Sequence, residues 1–161
     1  MRMSEGVEWA LHCCLNLTWV EEGEAVTATK LARFYGLPRD YLNKQLQALS
    51  RAGVMSSVPG PRGGFRLGRS AEAITVLDVV VAIEGPEPAF LCDQILAAGP
   101  GGSSAVDYVE SCLISQTMRT ADLAWRRELA SRTIADLKAS VEQRYPHTPQ
   151  RTRDWFLNLP A

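Results

Sequence analysis

The sequence predicts a mainly α fold with one small β-hairpin, arranged as a winged helix-turn-helix domain followed by a long helix. Three observations carry this expectation. Two short amphipathic segments meet at Gly36–Leu37, which is the pattern of a helix-turn-helix. A glycine-rich hairpin pattern follows at once. Charge is also divided sharply along the chain. Residues 27–70 hold eight Lys and Arg against Asp40 alone, a net of +7, whereas residues 71–118 hold seven Asp and Glu and no Lys or Arg. With an overall charge of only −1, such a split marks one surface suited to a polyanion and another that is not.

The elements follow in order. Ser4 stands where it caps a helix from Glu5 to about Val20, with Val7, Leu11, Cys14, Leu15 and Thr18 on one face. Glu21–Glu24 is a polar break. Thr27 caps a short helix over Ala28–Tyr35 that Gly36 ends. Pro38 suits the first turn of the next helix and Gly53 the position past its end. Tyr41, Leu42, Leu46 and Leu49 form its apolar stripe, with Arg39, Lys44, Gln45 and Arg51 on other faces. Val54–Val58 and Phe65–Leu67 read as paired strands around the turn Pro59–Gly64. That hairpin, placed directly after a helix-turn-helix, is a wing, with Arg62 at its tip and Arg66 and Arg69 on the return side.

Beyond the wing, Thr75 with Asp78 has the spacing of a capping box for a helix ending near Gly85. Pro86–Pro88 interrupts the chain. A short helix is expected over Ala89–Ala97, then a Gly/Ser-rich stretch over Gly99–Ser104. A longer helical region is expected from about Ala105 to Gln143, broken near Thr120. Its second part places Leu123, Ala130, Ile134, Leu137 and Val141 along one side, either over the protein's own core or against a second subunit. Pro146 and Pro149 close it, and Arg151–Leu159 suits a last short helix. These divisions predict a DNA-binding domain over 1–85, a sensor or effector region over 86–119, and a dimerisation helix with C-terminal tail over 120–161.

Chemistry narrows the function. No glycine-rich phosphate loop follows a strand, no nucleophile elbow is present, and no carboxylates pair at catalytic spacing. With His12 and His147 as its only histidines, the chain is expected not to be an enzyme. No apolar run approaches the roughly 20 residues that cross a bilayer, and Met1–Gly6 lacks a secretory pattern, so a cytoplasmic protein without membrane contact is expected. The basic segment instead suits double-stranded DNA. The recognition helix has the size to enter the major groove, presenting Arg39, Tyr41, Lys44 and Gln45. Thr27 and Lys30 at the preceding helix start are placed for the phosphate backbone. Gly60, Gly63 and Gly64 allow close approach to DNA, Arg62 is placed for the minor groove, and Arg66 follows.

Tyr41–Val54, together with Gly60-Pro61-Arg62-Gly63-Gly64-Phe65-Arg66-Leu67, closely resembles the Rrf-type family of bacterial winged-helix regulators. Ile74–Val80 is similar to that family's post-wing segment. Gly6–Cys14 resembles the first helix of an actinobacterial redox-sensing branch. The resemblance spans about residues 4–140 and implies a homodimer that binds a pseudo-palindromic operator, usually as a repressor, with a dimerisation helix crossing its partner. Carried by position, it implies DNA contacts at Arg39, Tyr41, Lys44, Gln45, Arg62 and Gly63. Pro59 departs from the arginine that many members carry before the first wing glycine.

The sensor is less defined. The three closely spaced cysteines of cluster-bearing members are absent here. Only Cys92 and Cys112 fall in the corresponding loop. The redox-sensing branch implies a [2Fe–2S] cluster held by two such cysteines and by a Glu and a His from the other subunit's first helix. Glu8 and His12, four apart on one helical face, match that pair. The adjacent Cys13 and Cys14 point about 100° apart and suit core packing. From the residues alone, a cluster, a thiol or small-molecule switch and purely structural cysteines all stay open. The function expected is a sequence-specific, homodimeric repressor switched by a redox, nitric-oxide or small-molecule signal. The alternative is a cluster-free interaction module of the same fold that docks a partner enzyme.

Overall fold

The computed structural model describes residues 3–21, 23–60 and 63–158. Eight α-helices and one hairpin are found among them: α1 (Glu5–Leu17), α2 (Ala28–Tyr35), α3 (Arg39–Arg51), β1 (Met55–Val58), β2 (Gly64–Leu67), α4 (Val76–Glu84), α5 (Tyr108–Ser111), α6 (Leu113–Ala130), α7 (Ile134–Arg144) and α8 (Thr148–Asn158). The wing domain is built as its sequence signals require. Thr27 Oγ1 accepts from Lys30 N at 3.1 Å and so satisfies one free amide of the first turn of α2. Gly36 closes α2 in the left-handed conformation at φ 65°, which only glycine adopts without strain. The buried side of α3 is Leu42, Leu46 and Leu49, all fully enclosed. β1 and β2 pair antiparallel with Ser56 opposite Arg66 and Val58 opposite Gly64. Val26 joins the edge, exchanging backbone hydrogen bonds of 2.9 and 2.8 Å with Phe65.

Helix α1 stops at Leu17, three residues short of the expected Val20. Thr18 turns its hydroxyl back to Leu15 O at 2.6 Å, and Trp19 is buried. Ser4 precedes α1 without capping it. Its amide and hydroxyl both donate to Glu84 Oε1, at 2.8 and 2.6 Å, tying the start of α1 to the end of α4. Pro38 flanks α3 and does not enter its first turn.

Three expectations for the second half are corrected. The helix over Ala89–Ala97 is not formed. Only a 3₁₀ turn over Ile95–Ala98 is present, behind Gln94 at φ 52°. Residues 93–98 are exposed, and a segment this short holds no helix without an apolar face to bury. The break near Thr120 is also absent. Thr120 Oγ1 donates to Gln116 O at 2.9 Å within an unbroken α6. The break falls at 131–133 instead, where Thr133 and Asp136 form a capping box that starts α7. Lastly, the stripe from Leu123 to Val141 is not one helical face. Leu123 on α6 is 53% exposed, whereas Ile134 on α7 is fully buried.

That kink sends the chain back to the wing domain. Thr133 bridges Thr75, Val76 N donates to Arg132 O at 2.8 Å, and Ile134 N donates to Ile74 O at 2.9 Å. Trp19 Nε1 donates to Glu142 Oε1 at 2.8 Å, holding α7 on the end of α1. The last helix, α8, begins at Thr148, before the expected Arg151, and Leu159 lies outside the described residues. Phe156 enters the same core as Leu31, Leu42 and Phe65. Phe34, Trp155 and Phe156 stack on one another with ring centres 4.8–5.2 Å apart. Between the two halves, Trp125 and Leu129 of α6 cover Val7, Val76 and Val80.

Candidate nucleic-acid interface

The buried leucines of α3 fix which of its side chains face outward. Arg39, Asp40, Tyr41, Lys44, Gln47 and Arg51 are exposed. Arg39 Nε donates to Thr29 Oγ1 at 3.0 Å, linking the first turns of α2 and α3, and it also pairs with Asp40 at 3.3 Å in a fully wetted contact that adds little stability. Lys44, Gln47 and Arg51 lie at spacings of three and four, on one outward stripe. Among the described residues none of the three is drawn into an ion pair. Gln47 and Arg51 were legible as a continuation of Lys44 by helical spacing alone, yet Gln47 was not singled out from the sequence and Arg51 was not placed among the contacts.

Tyr41 and Gln45 are placed differently from Lys44. Tyr41 meets the edge of Trp9, with ring centres 5.2 Å apart, and remains 44% exposed. The Gln45 amide lies over Gly6 of α1, its Cδ 2.9 Å from where a Cβ on Gly6 would sit. Gln45 thus packs two helices together and is half-buried. At the start of α2, Thr27 serves as the cap described above. Lys30 Nζ donates to Phe156 O at 3.0 Å, so its charge is held by α8.

On the wing, Arg66 is exposed and its Nε donates across the hairpin to Ser56 Oγ at 3.2 Å. Arg69 is spent internally, on Ala73 O at 3.1 Å and on Asp78 at 3.4 Å. Gly63 is buried, and its amide closes the turn onto Gly60 O at 2.9 Å. A Cβ there would strike Val58 O, and one on Gly64 would strike Val26 O. The glycines at 63 and 64 are therefore required by the hairpin's own closure and by its approach to Val26. Arg62, expected at the wing tip, lies outside the described residues.

The four side chains implied as cluster ligands are not assembled within one chain. Glu8 and His12 are exposed on α1, and His12 leans on Tyr35 with ring centres 5.4 Å apart. Cys92 and Cys112 are half-exposed, the first in the loop after α4 and the second where α5 meets α6. Among the described residues no three His, Cys, Asp or Glu side chains stand together as a metal-holding group. One chain alone does not fit a cluster. Cys13 and Cys14 are enclosed in the core. Burial pushes the Cys13 thiol up to about 12 and the Cys14 thiol higher still, so neither is a ready thiolate.

A two-helix turn with an outward basic stripe, backed by a third helix and flanked by a β-hairpin, defines a winged-helix DNA-binding protein. The Rrf2 family, described as an iron-dependent transcriptional regulator, matches residues 3–140. The chain belongs to that family of transcription regulators. Its fold is similar to that of CymR (YrzC), the global cysteine regulator of B. subtilis. The TM-score is 0.64 at 21% identity, covering 87% of this chain and 98% of the other. It is also similar to T. potens IscR, with a TM-score of 0.63 at 21% identity over 90% and 91% of the two chains. Staphylococcus aureus CymR aligns with a TM-score of 0.61 at 24% identity over 84% and 96%. Among the described residues no helix is long and apolar enough to cross a membrane.

Proposed function

We propose that this protein is a homodimeric repressor that reads a pseudo-palindromic operator. In this reading α3 lies in the major groove, Lys44, Gln47 and Arg51 meet phosphates and base edges, and Arg39, Tyr41 and Arg66 contact the flanking backbone. The observation that carries it is the exposed stripe of Lys44, Gln47 and Arg51, without an ion pair among the described residues, on the outer face of a helix whose inner face is fully buried. The second subunit packs on the first half of α6, where Leu113 and Ile114 are 75% and 68% exposed. Ile114 and the exposed Met118 lie four apart on one helical face, and an apolar face left this open marks a surface that is covered in the assembly. The switching signal enters through the segment between α4 and α6, which carries the two half-exposed thiols, Cys92 and Cys112.

The test selects a duplex from a random-sequence library with the purified protein and measures its affinity against salt by fluorescence anisotropy. Affinity is expected to fall steeply with salt, because each phosphate contact releases counterions. Lys44→Ala is expected to weaken binding and to reduce the salt slope by about one. If the Lys44→Ala, Arg51→Ala double variant binds the selected duplex as tightly as the parent, α3 is not the reading helix and the proposal is lost.

A further inference from the structure

A hollow of about 270 Å³ opens between α8 and the start of α2, away from the outer face of α3. Its walls combine two carboxylates and two cations. Glu21 and Glu24 come from the turn before Val26, Lys30 from α2 and Arg153 from α8. Among the described residues none of these four makes an ion pair with another. Arg153 instead takes the Gln150 amide oxygen at 3.0 Å, and Lys30 takes the Phe156 carbonyl at 3.0 Å. The remaining wall is apolar, with Val20, Ala25, Val26 and Phe156. Glu21 and Glu24 stand exposed at its mouth, while Lys30 and Arg153 are half-buried. Opposite charges set around one small hollow without pairing with each other are matched by a ligand carrying both charges on a short frame. The volume falls just below the usual range of ligand pockets, roughly 300 Å³ and upward, which suits a single small metabolite and not a nucleotide.

We propose that this hollow is a binding site for a free α-amino acid with an apolar side chain. Its carboxylate is received by Lys30 and Arg153, its ammonium by Glu21 and Glu24, and its side chain by Val26 and Phe156. A carboxylate is a stronger partner for the Lys30 ammonium than the neutral carbonyl it now holds. Occupancy therefore bears directly on the contact that joins α8 to the first turn of α2. The site depends on the junction of α8 with the wing domain and not on the outer face of α3, so it stands apart from the proposed operator contacts.

The full chain, free of DNA, is titrated calorimetrically with L-leucine, L-methionine and L-phenylalanine. Isocaproate, which lacks the ammonium, and isoamylamine, which lacks the carboxylate, serve as half-ligands. Saturable binding of at least one amino acid is expected, with each half-ligand weaker by about tenfold or more, the cost of one lost charged hydrogen bond. Glu24→Gln and Arg153→Gln, both checked for folding by circular dichroism, are each expected to weaken the same amino acid by a similar factor. The proposal is overturned if none of the three amino acids binds, if isocaproate or isoamylamine binds as tightly as the amino acid, or if the two variants bind unchanged. Because no DNA is present, failure here leaves the operator reading intact, and unchanged operator binding in the Lys44→Ala, Arg51→Ala variant, which ends that reading, leaves this one intact.

Discussion

The ammonium of Lys30 donates to the backbone carbonyl of Phe156 at 3.0 Å, across 126 positions of sequence. The bond joins the first turn of α2 to the last turns of α8, and ring contacts of Phe34 on α2 with Trp155 and Phe156 on α8 join the same two helices. The C-terminal helix lies beyond the family match at 140, yet it is part of the core of the DNA-binding domain. Phe156→Ala is expected to lower stability by about 3 kcal/mol, the usual cost of emptying a buried aromatic site. Urea unfolding followed by tryptophan fluorescence measures it. A change below about 1 kcal/mol means that α8 is an appendage and not a core element.

Gly64→Ala tests the wing. A methyl group there meets Val26 O, at a glycine whose φ is 151°, so the hairpin and the Val26 edge cannot both keep their places. A loss of about 1–3 kcal/mol is expected from this strain, together with weakened operator binding. Lys44→Ala, on an open surface, is expected to weaken operator binding with thermal stability unchanged. Equal melting temperatures for Gly64→Ala and the parent contradict the steric account.

Asp122 and Arg126 give a pH dependence. Arg126 Nε donates to Asp122 at 2.7 Å, and the Asp122 side chain is 11% exposed. Arg126 also holds Pro86 O and Glu87 O at 2.8 and 3.0 Å, stapling the loop after α4 to α6. The Arg126 hydrogen bond holds the Asp122 carboxyl below its ordinary value of 3.8. A carboxyl whose folded value is lowered stabilises the fold at pH above its unfolded value, and that contribution is lost as pH falls through the folded one. The stability gap between the parent and Asp122→Asn is therefore expected to be present at neutral pH and to close in acid, as pH falls past the ordinary value of 3.8 and through the lowered folded one. Denaturant titrations across pH follow it. A gap that persists unchanged into acid assigns the effect to packing.

The thiols divide into two pairs. Of the four cysteines, Cys13 and Cys14 are buried and Cys92 and Cys112 are half-exposed. Burial raises the pKa of the first pair, and the thiolate is the reactive form. Ellman's reagent at mild alkaline pH is expected to count two thiols in the folded protein and all four after denaturation. Cys92→Ser, Cys112→Ser protein is expected to be silent until unfolded. A fast reaction in that double variant places Cys13 or Cys14 on an open path.

The open face of α6 tests the assembly. Ile114→Glu sets a charge at a side chain 68% exposed, so the monomer fold is expected to be unaffected. Sedimentation velocity is expected to show a dimer for the parent and a monomer for the variant, with operator affinity reduced because half-sites are no longer linked. A variant that still sediments as a dimer moves the subunit contact elsewhere.

The helix-turn-helix and the wing were legible because their signals are local. Thr27, Gly36, Thr75 with Asp78, and Gly63 act within a turn or two of themselves, whereas the demand on Gly64 comes from Val26. The outer stripe of α3 followed from the spacing of its leucines. The packing of Gln45 on α1 was not legible because its partner, Gly6, is 39 positions away, and half-buried amides look no different in sequence from exposed ones. The break at 131–133 carried the same Thr-x-x-Asp spacing as Thr75 and Asp78, and the apolar stripe running through it hid that signal. The exposed segment 93–98 had the composition of a helix but no face to pack.

The sequence by itself determined a basic winged helix, its order of elements and the separation of a cationic segment from an acidic one, since these rest on caps, turn residues and apolar period. Only the tertiary structure decided that Lys30 is held by α8, that Gln45 faces α1, that Ile134 and Phe156 belong to the wing-domain core, and that Glu8, His12, Cys92 and Cys112 do not meet within one chain. The physical reason is reach. Local signals select backbone conformation over a few residues, whereas the partner of a charge or an amide is set by which distant surfaces the hydrophobic core brings together.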